Sequence, residues 1–291
     1  MGSERAKVAL AGARGPVPFT TEVLLRVHEP RFARLDGERL PSPESLRHTF
    51  RTLVFTPDRL AVVKGGPAIR RAYVDRAAAR LFPGRATAAS EYAAALAQRN
   101  AALRRAAAGI ADSGALDPWT GAVARHGREL VETRRATLAA LAPAFAETAE
   151  RLGLPAASLE YAGEPPSVKD LERRLAADLE RGSTGLGPHL HDVVIAAGGR
   201  DLRAFGSQGE QRTAVLALVL AEARALEERT GSAPLVLLDD VLSELDAPRR
   251  KALSELLAAG SQTVITATSA DLLPAEPTQL LVVADGAVRE G

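Results

Sequence analysis

The residues with the clearest chemical potential lie in the last third of the chain. Pro234-Leu-Val-Leu-Leu-Asp239-Asp240 places two carboxylates directly after four apolar residues. Such a run reads as a strand buried on both faces, and the C-terminal end of a strand is where open α/β sheets bind ligands. Two adjacent acids raise each other's pKa. A Mg²⁺ on Asp239 and a polarised water on Asp240 would offset that cost. The plainer alternative is a strand followed by a solvated acidic turn. Upstream, Phe205-Gly206-Ser207-Gln208-Gly209-Glu210-Gln211-Arg212 opens a long helical stretch. Ser and Gly there expose backbone N–H groups at a helix N-terminus, where the dipole favours an anion. The same residues also read as an ordinary Ser207 cap with Glu210 three positions on. Downstream, Ser243-Glu244-Leu245-Asp246 follows the two acids, and Asp246 equally suits the cap of a helix starting near Pro248.

Regular elements must hold these residues in place. From residue 185 the pattern alternates. Strands are expected at 192–196, 234–239, 261–267 and 279–284, and helices at 209–229 and 248–259. Strands alternating with helices imply a largely parallel sheet. Residues 66–184 are rich in Ala, Leu, Arg and Glu at helical spacing. Helices are expected at 69–82, 87–110, 118–152 and 168–181, with Gly121, Gly127 and Pro143 as candidate breaks in the third. Paired helices of this length suggest an antiparallel arm. Residues 1–65 look strand-rich, with Asp36-Gly37 as a hairpin turn and 53–55 as a short buried strand. The expected division is therefore 1–65, 66–184 and 185–291, with a Gly-rich linker at 182–188.

Composition narrows the function classes. The chain has 291 residues, 46% hydrophobic and 25% charged, which is ordinary globular usage. It has no cysteine, so disulfides, thiol nucleophiles and Cys-ligated zinc are excluded. No apolar run is long enough to cross a bilayer, and the start, MGSERAK, lacks a signal-type apolar stretch. A cytoplasmic protein with no membrane partner is expected. Residues 1–184 hold 28 Lys and Arg against 21 Asp and Glu, whereas 185–291 hold 9 against 15. That asymmetry permits a basic binding face on the first part. Arg70-Arg71, Arg104-Arg105, Arg134-Arg135 and Arg173-Arg174 are candidate phosphate contacts, although most arginines on such helices form a solvated face. His189 and His191 form an H-x-H pair with no third ligand nearby, and are expected to line the junction between lobes.

The order and spacing of the three motifs resemble the C-terminal lobe of an ABC-type ATPase. The stretch from Ser207 to Arg250 resembles the RecF family of DNA-repair ATPases, which have SMC-like heads. Three further segments fit that family: 55–75 (FTPDRLAVVKGGPAIRRAYVD), 91–104 (EYAAALAQRNAALR) and 187–192 (GPHLHD). The resemblance covers nearly the whole chain. It implies an α/β ABC-type head, incomplete in its N-terminal lobe, with an inserted helical arm. It also implies ATP and Mg²⁺ as cofactors. Asp239 would be the Walker B magnesium ligand and Asp240 would occupy the catalytic acid position. Ser207, Gln208 and Gly209 would contact the γ-phosphate of ATP held by a partner subunit, and Ser243 and Asp246 would form the D-loop at the dimer interface. Thr268 falls near the switch position where transporters use histidine. The family's role is to bind duplex and gapped DNA and help load RecA, with RecO and RecR as partners and an ATP-dependent homodimer as the working form.

One feature departs from the family. No G-x-x-x-x-G-K-[ST] occurs, and none of the four lysines, Lys7, Lys64, Lys169 and Lys251, stands in a P-loop setting. The chain resembles a RecF lacking its first several dozen residues. Negligible ATP binding by the chain alone is expected, because the P-loop cradles the phosphates. The alternative reading is a P-loop-less module that binds DNA or a RecF partner without turnover.

Overall fold

The computed structural model describes residues 5–14, 16–42, 46, 50–110, 112–257, 262–273, 275–284 and 286–291. The chain forms two compact units, Met1–Thr52 and Leu53–Gly291. The first is an antiparallel sheet in sequential order: β1 (Arg5–Arg14), β2 (Val17–Arg26), β3 (Phe32–Leu35) and β4 (Glu38–Arg39). Asp36 and Gly37 turn the β3–β4 hairpin with φ of 50° and 85°. Two positive φ values are what a tight hairpin demands, and Asp-Gly supplies them at low cost. Asp36 also ties the turn to β2, because its Oδ1 accepts from the Thr20 N–H at 2.6 Å.

The second unit holds the fully described helices and three further sheets. Its helices are α1 (Ala61–Lys64), α2 (Pro67–Leu81), α3 (Ala88–Ala107), α4 (Asp117–Arg151), α5 (Val168–Arg173), α6 (Leu175–Arg181), α7 (Leu202–Phe205), α8 (Gln208–Thr230) and α9 (Ala247–Leu257). One sheet has the order β10 (Thr263–Thr266), β9 (Leu235–Asp239), β5 (Thr52–Phe55). A second has the order β6 (Ala157–Ala162), β7 (Asp192–Ala197), β8 (Arg200–Asp201), and a third is the hairpin of β11 (Leu281–Ala284) and β12 (Ala287–Glu290). β9 and β10 pair in parallel. β7, however, pairs antiparallel with both neighbours, and so do β11 and β12. The expectation of a largely parallel sheet therefore holds for the β9–β10 pair and fails for β7. Its partner β6 lies in a segment that the helical pattern hid.

α4 runs unbroken for 35 residues through Gly121, Gly127 and Pro143. At 1.5 Å per residue it is about 50 Å long. Pro143 deletes one helical hydrogen bond. Leu138, Leu141, Phe145 and Ala149 are buried around it, and their packing carries the helix past the proline. Gly127 allows close contact, since a Cβ there would stand 3.4 Å from Pro166 and from Tyr92. The helix expected at 168–181 divides at Arg174 into α5 and α6. Ser167 and Asp170 build a full capping box on α5, which explains its sharp start.

Two apolar clusters organise the unit. The larger gathers α2, the C-terminal half of α4, β7, α8 and β9, including Tyr73, Phe145, Ile195, Leu216 and Leu238. α8 is buried nearly all round because it lies in the middle of this cluster. The smaller cluster joins Tyr92 and Ala95 of α3 to Val123 and Leu130 of α4. α4 thus spans both clusters and connects them rigidly. Among the described residues no helix is long and apolar enough to cross a membrane.

Candidate functional site

β9 buries Val236 and Leu238 and leaves Asp239 exposed at its end. The parallel register sets Thr266 of β10 opposite Asp239. The Thr266 hydroxyl donates to Asp239 Oδ1 at 2.6 Å and accepts from the Asp240 N–H at 3.1 Å. One threonine therefore holds the Asp239 carboxylate and the Asp240 backbone. The sequence pointed instead to Thr268, two positions on.

Asp240 has a left-handed backbone, with φ of 49°. For a residue with a Cβ this conformation is uncommon, and Asp tolerates it better than most. The turn it makes swings the chain into the one-turn 3₁₀ segment Leu242–Glu244, where Ser243 Oγ donates to the Asp240 carbonyl at 3.1 Å. Asp240 Oδ1 is buried and has no hydrogen-bond partner among the described residues. Asp240 lines a cavity of about 30 Å³ together with Phe55, Leu60, Arg212, Leu216 and Glu244. A buried carboxylate oxygen left without a partner is costly, so a water or cation beside it relieves that cost.

Ser207 caps α8. Its Oγ accepts from the Glu210 N–H at 3.2 Å, and Glu210 Oε2 accepts from the Ser207 N–H at 2.7 Å. Hydrogen bonds from the Ser207 backbone N–H and hydroxyl hold the Glu210 carboxyl below its ordinary range. The cap reading is therefore present in the structure. It does not consume the anion-binding capacity, because Gln208 and Gly209 occupy the first helical positions and their N–H groups lack intrahelical acceptors. Asp246 likewise caps α9, accepting from the Arg249 N–H at 2.9 Å.

The two motifs meet on one face. Arg212, in the first turns of α8, forms an ion pair with Glu244 of the 3₁₀ segment. Arg249 of α9 stands 3.7 Å from Asp246 Oδ2 and donates to the Leu152 carbonyl at 3.1 Å. A Cβ on Gly209 would lie 4.0 Å from the same guanidinium. These links bring the start of α8 to the Leu242–Asp246 turn, and Asp239 and Asp240 sit at the root of the same loop. The link residues Arg212, Glu244, Arg249 and Thr266 were not among the sequence-derived site residues. Arg212 and Glu244 lie inside the two motifs. Thr266 is recoverable only from strand register.

Arg70, Arg71, Arg134, Arg135 and Arg173 and both histidines have structural partners. Arg70 donates two bonds to Asp192, at 2.8 and 2.6 Å, and Arg134 pairs with Asp75 and the Pro188 carbonyl. Arg71 reaches the His191 carbonyl at 2.6 Å, and Arg135 pairs with Glu164. Arg104 and Arg105 are exposed near the end of α3, and Arg173 pairs with Asp170 at 3.3 Å. His189 lies between Tyr92 OH (2.7 Å) and the Thr184 carbonyl (3.1 Å), and His191 contacts Tyr161 OH at 2.9 Å. Burial lowers the pKa of both rings, and Arg71 and Arg134 add to the effect. The unfolded chain therefore takes up protons that the folded chain refuses. Stability is expected to be level above the ordinary imidazole value, about 6.5, and to fall as pH drops below it. Urea midpoints measured across that range check this, and the His189→Gln/His191→Gln variant should flatten the decline.

No family model matches the chain. Individual relatives do. The DNA replication and repair protein RecF of Myxococcus xanthus (strain DK1622) is 38% identical over 261 residues, covering 84% of this chain and 68% of that protein. The RecF protein of Heliobacterium modesticaldum (strain ATCC 51547 / Ice1) is 34% identical, covering 90% of this chain and 74% of its own length. A solved structure of the recombination mediator protein RecF with ATP, in the RecFOR pathway, superposes with a TM-score of 0.80. It is 26% identical and the match covers 99% of this chain and 81% of that one. The Smc head domain of Pyrococcus furiosus, at 16% identity and a TM-score of 0.53, shares the fold. The α/β fold and these relatives agree, and the chain belongs to the RecF family of DNA replication and repair proteins.

Proposed function

We propose that this chain is a recombination mediator that works in the cytoplasm on duplex DNA at gaps. Two heads close over the DNA when ATP bridges them, and with RecO and RecR the complex promotes loading of RecA. The observation that carries this reading is the single face formed by the Ser207 loop and the Asp239–Asp246 turn, joined by the Arg212–Glu244 ion pair.

In this reading Ser207, Gln208 and Gly209 receive the γ-phosphate of ATP held by a partner copy, using N–H groups at the start of α8. Ser243 and Asp246 line the interface. Asp239 holds Mg²⁺, and Asp240 polarises the attacking water. An exposed carboxylate beside one whose Oδ1 is buried and unpartnered suits a hard cation and its water shell. When bound, Mg²⁺ neutralises charge on the transferring phosphate. Thr266 keeps the Asp239 carboxylate aimed out of the sheet.

A second reading is favoured by one sequence fact: the 291 residues contain no G-x-x-x-x-G-K-[ST]. The chain then acts as a non-catalytic module that binds DNA or completes the site of a second subunit. Fluorescence anisotropy with gapped duplex and with a fluorescent ATP analogue tests both. Salt-sensitive binding of gapped duplex and negligible ATP binding by the chain alone are expected. Absence of DNA binding would defeat the mediator reading, and turnover of ATP by the chain alone would defeat the module reading.

A further inference from the structure

We propose that Glu91, His126 and Glu129 form a site for a divalent transition metal that clips α3 to α4. His126 and Glu129 are three residues apart on α4, so both project from one face of that helix. Glu91 comes from the first turn of α3. His126 Nδ1 lies 3.1 Å from Glu129 Oε2 and 3.5 Å from Glu91 Oε2. One ligand atom from each of the three residues lies within 4.8 Å of the others. Four ligands around a tetrahedral zinc at ordinary bond lengths stand about 3.3 Å apart. The spacing of the imidazole nitrogen to each carboxylate is thus already that of a coordination sphere.

The surroundings favour occupancy. Ala88, Tyr92 and Ala95 of α3 pack against Val123, Ala124 and Leu130 of α4 in one apolar cluster. The backbones that carry the ligands are therefore fixed by packing. Neither Glu91 nor Glu129 has a lysine or arginine at ion-pair distance among the described residues. Two carboxylates converging on one imidazole repel each other, and a dication removes that repulsion. His126 is 20% exposed, and the carboxylates are about half exposed, so water can complete the shell.

Arg125 Nη2 lies 3.1 Å from His126 Nε2. A neutral ring that accepts there carries its proton on Nδ1. On metal binding Nδ1 gives its lone pair to the ion and Nε2 takes up the N–H. The exposed Arg125 guanidinium then turns to solvent. The site lies on the arm and is independent of the nucleotide reading.

Calorimetric titration of the EDTA-stripped full chain with ZnCl₂ at neutral pH tests the proposal. Each measurement is repeated on Glu91→Gln, Glu129→Gln and His126→Gln. The two exposed glutamate variants leave the fold intact, which melting of the metal-free proteins verifies. One equivalent of zinc is expected to bind, to raise the melting temperature, and to bind at least roughly tenfold more weakly in each variant. No stoichiometric uptake overturns the proposal. Equal binding by all three variants also overturns it, since the ion would then sit elsewhere, as at His189 and His191.

Discussion

Replacing Asp178 with alanine is expected to destabilise the chain by about 3–5 kcal/mol. Arg99 is completely buried in the arm, and Asp178 is 1% exposed. Arg99 Nη1 donates to Asp178 Oδ2 at 2.8 Å and to Thr184 Oγ1 at 2.7 Å, and its Nε donates to Thr120 Oγ1 at 3.2 Å. Asp178 Oδ1 accepts from the Gly185 N–H at 2.9 Å. One ion pair therefore joins α3, α4, α6 and the loop after α6. Without Asp178 the guanidinium remains in a dry interior with no counter-charge. One of its nitrogens, Nη2, already lacks a partner among the described residues. Removing both charges is a different experiment. Arg99→Met/Asp178→Leu should recover most of the loss, because apolar replacements of a buried pair are often neutral or stabilising. Urea unfolding of the three chains measures both effects. A loss for Asp178→Ala no larger than that for an exposed acid such as Glu172→Ala would contradict this account of the arm.

The same network explains the polar residues at the foot of the arm. Thr184 takes the Arg99 bond, donates to Asn100 Oδ1 at 2.7 Å, and through its carbonyl meets His189. The segments 91–104 and 187–192, which carried the family resemblance, are brought together here by Tyr92 and His189. Gly187, with φ of 141°, stands where a Cβ would come within 2.4 Å of the Tyr92 hydroxyl. Only glycine fits both the conformation and the space.

How much of this was legible in the sequence depends on the range of each interaction. The Asp36-Gly37 turn, the Ser207 cap and the apolar β9 run are local, and residue types declare them directly. α4 was legible as periodicity, but Pro143 pointed to a break that tertiary packing overrides. β6 was missed although it alternates: Leu159 and Tyr161 face inward, and Ser158 and Glu160 face out. Its six residues follow a helix of 35, and a short strand after a long helix is easily read as tail. Without β6 the antiparallel setting of β7 was invisible. The acids of the site were legible because they sit inside a motif. Thr266 was not, because it reaches Asp239 only through the register of a strand 24 residues downstream of β9's end. The Glu91–His126 pairing was equally hidden, since it depends on how two helices pack.

The second large effect concerns Ser207. The Arg212–Glu244 pair ties the start of α8 to the Asp239–Asp246 turn, and in the proposed reading the Ser207 loop completes a phosphate site on another subunit. Arginine at position 207 would place a long side chain where the phosphate must enter and would remove the cap on α8. Cap loss alone costs about 1 kcal/mol, too little to unfold the chain. Loss of phosphate positioning is expected to lower turnover in a mixed complex roughly a hundredfold.

That expectation supports the most direct test of the central claim. The RecF protein of Myxococcus xanthus (strain DK1622), with its own signature serine replaced by arginine, is mixed with this chain and DNA, and ATP turnover is followed. In the proposed reading the relative would supply the nucleotide-holding half of the site and this chain the Ser207 loop. Recovery of turnover with the wild-type chain, and roughly a hundredfold less with Ser207→Arg, is the predicted result. A heterodimer that forms, as seen by sizing, yet recovers no turnover would contradict the claim that this face completes a nucleotide site.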